Sequence, residues 1–195
     1  MGCISAIAGN IKLDCASPIE NGYTGRGVLI PLDSATPTYT VDAQNPRIIS
    51  AIALASGAKV VEIDNVASNP FDGSSKTGNN DAGYPKFTKA LALRLPQRGA
   101  DFAAKVVEPL LNSARGFVAI LEKVDQVGDG SFEIVGYKSA MKVVDPSTVT
   151  QTESANGGAW LATLQTSETY AECVLFDTDY ATTLAAFEAL LAKAF

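Results

Sequence analysis

Phe87-Thr88-Lys89-Ala90-Leu91-Ala92-Leu93-Arg94-Leu95 sets a leucine at every second position from 91 to 95 and then meets Pro96. A period of two puts those leucines on one face, so the stretch reads as a half-buried strand, ended where proline restricts the residue before it. The period then changes. Ala103, Val107, Leu110, Leu111 and Ala114 fall at i, i+4, i+7, i+8 and i+11, one apolar stripe on a helix over 101–115. Asp101 suits the positive end of the helix dipole and Arg115 the negative end, and Gly116 stands where the helix stops. Pro109 should kink it, because its ring clashes with the preceding turn. Residues 117–124 return to strand character.

Towards the C-terminus, 125–130 turns the chain through Asp129-Gly130, and 131–135 returns antiparallel. Gly136 marks a bulge before a strand over 137–144. A polar loop, 145–158, leads to strands at 159–166 and 170–176, joined by a turn at Ser167-Glu168. A helix over about 179–194 ends the chain, capped by Thr178 or Asp179, with Leu184, Phe187, Leu191 and Ala194 on one face.

Towards the N-terminus, Ile48, Ile49, Ile52 and Leu54 form one apolar run and Val60, Val61 and Ile63 another, with Ala55-Ser56-Gly57-Ala58 between them. This reads as a β-hairpin over 47–64, against a competing helix through 48–55. Residues 27–32 form a short strand between loops at 21–26 and around Pro37, and 1–16 a short strand pair. From Asn65 to Tyr84 no periodicity survives, and Gly, Ser, Asn and Asp dominate. Connections usually run about 4–6 residues, so a loop of this length is either a plain surface loop or an arm that orders against a neighbouring subunit. Phe71 is the large apolar group in its middle. As a loop tip the segment would be dispensable for folding. The expected fold is α+β and mainly antiparallel β: a β-sandwich or open barrel flanked by a middle helix (about 101–115) and a C-terminal helix (about 179–194). One domain spans 1–195.

Composition narrows the function. The 195 residues are 47% hydrophobic and 18% charged, ordinary for a globular chain. With a formal net charge of −6, no basic cluster stands out to grip nucleic acid. Histidine is absent, which removes the commonest general base and metal ligand, and with it Ser-His-Asp and Cys-His catalysis. Carboxylate, lysine or tyrosine chemistry stays open. The expectation is a chain that is not an enzyme and has no cofactor, without a deep pocket where perturbed groups converge. A buried carboxylate pair facing a cavity would overturn that.

No phosphate-binding glycine loop is present. Cys3, Cys15 and Cys173 lack zinc-ligand spacing, Cys173 sits in an apolar run, and a Cys3–Cys15 disulfide is an option. Asp125–Gly130 lacks the alternating ligands of a calcium loop and reads as a turn. Asp177 and Asp179 suit capping more simply than a cation site. Glu62 and Asp64 suit a solvated sheet face, and Trp160 a core or interface anchor. Neither a signal peptide, a myristoylation motif nor a run of about 20 apolar residues is present, so a soluble chain without a membrane anchor is expected.

In this order, the second half resembles the tail tube (major tail) proteins of tailed bacteriophages. The likeness rests on the strand-helix-strand unit over 86–124 and the hairpin to 144. Gly158-Ala159-Trp160-Leu161-Ala162-Thr163-Leu164, the strand at 172–176 and the capped helix over 179–195 complete it. It rests on architecture rather than a diagnostic motif, and the first 45 residues match no element of the family. The resemblance implies subunits that close into hexameric rings through their strands, the rings stacking into a tube that conducts DNA. It also implies a place in the virion tail after synthesis in the host cytoplasm. The partners would be copies of the chain and other phage tail proteins, with DNA as non-specific cargo in the lumen. The segment 65–84 would be the arm, with Phe71, Asp72, Gly73, Lys76 and Tyr84 as its self-assembly residues. The alternatives are another tail or injection-machine component, such as a tail terminator or a secreted tube protein, a ligand-binding β-sandwich, and a carboxylate-dependent enzyme.

Overall fold

The computed structural model describes residues 22–64, 70–71, 74–80, 85–125, 128–151 and 158–195. The strand pair expected at 1–16, with Cys3 and Cys15, lies outside them.

The decisive stretch is a strand, β6 (Lys86–Leu95), and it belongs to the smaller of two stacked sheets. That sheet also holds β5 (Ser75–Asn79), β10 (Thr150–Gln151) and β11 (Trp160–Glu168), in the order β10-β11-β6-β5, with β9 (Lys142–Val143) beside β10 on β11. The larger sheet holds β1 (Tyr23–Pro31), β2 (Thr38–Val41), β3 (Ile48–Ala53), β4 (Val61–Ile63), β7 (Phe117–Lys123), β8 (Phe132–Val135) and β12 (Cys173–Leu175). Its order is β2-β3-β12-β8-β7-β1-β4, antiparallel except for the β3–β12 pair. The fold is therefore mainly antiparallel β with two helices, a sandwich whose sheets do not close into a barrel.

The large sheet is buried on both faces, and strand parity sorts its side chains. Val28, Ile30, Val118, Ile120, Phe132 and Ile134 face the C-terminal helix (Tyr180–Leu191), meeting Phe187 and Leu190. Leu29, Phe117, Ala119, Leu121 and Val135 face the small sheet, meeting Leu91, Leu93 and Leu164. Strands covered on both sides read as continuous apolar runs rather than alternations. Each leucine sealed between the sheets contributes about 1.5–3 kcal/mol of burial.

The middle helix runs over 100–112 and stops short of the expected 115. Asp33 is the reason: its carboxylate accepts from Ser113 Oγ and, at 2.9 Å, from Arg115 N, holding 113–115 outside helical geometry. A π-helical turn, Ala103–Val107, precedes Pro109 and takes up the disturbance the ring causes. The extra residue in that turn rotates the stripe, so Val107 and Leu110 are buried while Leu111 is 39% exposed.

Several expected pairings are replaced. The 47–64 hairpin does not form, nor does its helical competitor: β3 pairs with β2 and β12, while β4 pairs with β1 at the opposite edge. Val60 is drawn away to the end of the C-terminal helix, donating its N–H to Lys193 O. The loop around Pro37 contains β2, and the loop at 21–26 largely belongs to β1. The strand over 137–144 shrinks to Lys142–Val143. Gly136, at φ +89°, turns the chain out of the large sheet so tightly that a Cβ would stand 2.6 Å from Phe117 O. The strands after 158 form no hairpin either, since β11 and β12 lie in different sheets. Finally, 65–84 is not a bare loop. Ser75–Asn79 is strand β5, paired along its length with β6. At the last helix Asp179 is the cap, accepting from Thr182 N at 2.8 Å, while Thr178 takes the positive φ before it.

Candidate functional site

The parity that buries Leu91 and Leu93 also carries Lys89 inward, to 1% exposure. Directly opposite it on β5 stands Lys76. Like charges facing across a strand pair destabilise it unless each finds a counter-charge. Both do. Lys89 Nζ lies 2.7 Å from Glu168 Oε2, and Lys76 Nζ lies 2.6 Å from Glu133 Oε2. Glu133 belongs to β8, so its ion pair ties the edge of the small sheet to the middle of the large one.

Glu133 is fully buried, and its Oε2 also accepts from Tyr23 OH at 3.1 Å. Lys123 Nζ stands 3.8 Å from the same oxygen and donates to Glu172, which lies 3.8 Å from Lys76. Glu133 Oε1 has no partner among the described residues. Burial, reinforced by Glu133, holds the Tyr23 phenol well above its ordinary range. Burial alone would raise Glu172, but the Lys123 hydrogen bond and the neighbouring lysine charges together hold it below the usual carboxylate value. On the small-sheet side, Glu168 Oε1 accepts from Lys138 N at 2.9 Å and so pins the crossover between the sheets.

Tyr23, Ser74, Ser75, Lys76 and Lys89 rim a cavity of about 100 Å³ floored by Leu91, Leu121 and Val135. It has room for a few waters. Polar groups therefore do converge, more than composition implied, but the carboxylates stand behind the rim and not in the lining. Tyr23, Lys76 and Lys89 each point to one of them. The arrangement binds sheet to sheet rather than exposing a base beside a nucleophile.

The opposite face of the large sheet has its own buried acid. Glu122 accepts from Thr24 Oγ1 at 2.9 Å and Tyr180 OH at 3.2 Å, with Arg26 at 3.5 Å bridging onward to Glu188. Cys173 is buried, and burial first, then Glu168, pushes its thiol up to about 11. Glu62 and Asp64 are exposed. Sequence reading missed Glu122, Glu133, Glu168 and Lys89. The available signal was a charge in an otherwise apolar run, as in Phe132-Glu133-Ile134-Val135.

Of the residues expected to drive assembly, Phe71 does not stand out for a neighbour. It is 4% exposed in the chain's own core, edge-on to Tyr23 at 5.3 Å, beside Gly27, whose missing side chain leaves it space. Lys76 lies on β5. Asp72, Gly73 and Tyr84 are outside the described residues.

What remains for assembly is the backbone of the sheet edges, and they differ. On one side of the small sheet β9 and β10 are two residues each, split by a 3-10 turn at Pro146–Thr148. In the large sheet β4 has three residues, with the chain's own Ala194 bridged to Val60 beside its start. β2 has four, with a bulge between Thr40 and Val41. β5 has five, all exposed, in unbroken register with β6. Proline, bulges and shortness are how native sheets blunt an edge, and β5 has none of them. No family model, curated protein or solved structure matches this chain.

Proposed function

We propose that the chain is a structural subunit, not an enzyme, that assembles with copies of itself into closed rings stacked as a tube of the phage-tail type. In this reading its partners are its own copies and other tail proteins, and DNA passes through the lumen as non-specific cargo. The observation that carries it is β5, a five-residue exposed edge without protection in an otherwise guarded sandwich. Pairing such an edge with another subunit satisfies its backbone groups, and a contact between unlike surfaces closes into rings. The Lys76–Glu133 clamp supports the reading by holding the edge in a fixed pose. A ligand-binding module is less well supported, because about 100 Å³ is small beside the roughly 300 Å³ at which ligand pockets begin. The test is light scattering over a concentration and salt series. Growth into large species supports assembly, and a strict monomer throughout refutes it.

A further inference from the structure

Resting on that reading, we infer which edges meet: β5 of one copy pairs with β2 of the next, joining the small sheet of one subunit to the large sheet of its neighbour. The choice follows from the other edges. The opposite side of the small sheet is interrupted at Pro146 and offers only two residues at a time. The β4 edge carries exposed Glu62, and the chain's own C-terminus crowds its start: Val60 N donates to Lys193 O, and Lys59 Nζ donates to Ala194 O at 2.9 Å. β2 remains. Its Thr38-Tyr39-Thr40-Val41 has no charge, is rich in residues that favour strands, and is exposed except at Tyr39.

Charge does not oppose the contact. Lys76, the one charged residue on β5, is turned inward onto Glu133 and leaves the outer edge neutral. The bulge at Thr40 and Val41 limits the clean match on β2 to its first three residues. A match that short is weak alone and gains strength from repetition around a ring. Pairing β5 with β5 across a two-fold axis is the competing geometry, and it ends in a closed dimer.

Disulfide trapping separates these. In a full-length Cys3→Ser, Cys15→Ser background, one chain carries Thr77→Cys and a second carries cysteine in place of Thr38, Tyr39 or Thr40 in turn. Each pair is mixed and mildly oxidised at a concentration where the parent chain assembles, beside the single variants. The inference predicts linked dimers in at least one mixture and none from Thr77→Cys alone. Linked dimers from Thr77→Cys alone establish the two-fold pairing and overturn it. Assemblies visible by microscopy without any β5–β2 link overturn the inference and leave the assembly reading standing. A parent chain that never assembles sinks both.

Discussion

Lys76 and Lys89 stand directly opposite each other on neighbouring strands, and each is turned inward onto a different glutamate. Lys89–Glu168 stays within the small sheet, and Lys76–Glu133 crosses to the large one. The two like charges are thus tolerable only because the sheets are stacked. The ion pairs bind the order of the edge strand to the packing of the sandwich.

The Lys89–Glu168 pair gives the first prediction. Both side chains are at most 2% exposed, so removing one leaves a buried charge unmatched. Lys89→Met should cost about 3–5 kcal/mol in urea unfolding. Adding Glu168→Leu should recover more than half of that, because the stranded carboxylate is gone. A double variant as unstable as Lys89→Met alone would mean that shape, not charge, sets the cost.

Glu172 sets a pH dependence. Its carboxyl is held below the ordinary 4.5, so the folded state favours its charged form more than the unfolded state does. The stability it contributes is present above the unfolded value and lost as pH falls through the lower folded one. Its side chain is 42% exposed, so the effect is small and screened by salt. Melting temperature followed from neutral to acid pH should fall more steeply for the parent than for Glu172→Gln. Parallel curves would show that the contact contributes nothing.

Gly136 and Gly130 form a matched pair of tests. An added Cβ at Gly136 meets Phe117 O at 2.6 Å with φ at +89°, whereas at Gly130 nothing lies within 4 Å. Backbone strain of this kind costs about 1–3 kcal/mol before the steric clash is added. Gly136→Ala should lower the melting temperature by several degrees and Gly130→Ala should leave it almost unchanged. Equal effects would contradict the tight turn between the sheets.

Local pattern carried the elements further than their partners. The period-two leucines of β6, the helix after it and the Asp179 cap were legible because each depends on neighbours in sequence. Periodicity reports which face a residue takes, not which strand it meets, so the parallel pairing of Ile48 with Val174 left no local trace. β5 was hidden for a different reason. Ser-Lys-Thr-Gly-Asn has no apolar residue, and its strand state is imposed by pairing with β6. Deleting 72–82, which suits a bare loop, therefore removes a strand and leaves Glu133 without its lysine. The buried charges were half legible. Lys89 shares parity with Leu91 and Leu93, but only the stacking of a second sheet makes that position buried.

The central claim is that an open edge at β5 drives this chain to assemble. Negative-stain electron microscopy of the concentrated parent protein beside Thr77→Lys tests it most directly, since a charge on an exposed edge blocks strand addition without touching the core. The account predicts rings or tubes from the parent and only single subunits from Thr77→Lys, with matching circular dichroism. Single subunits from the parent at every concentration, or rings and tubes undiminished in Thr77→Lys, would contradict it.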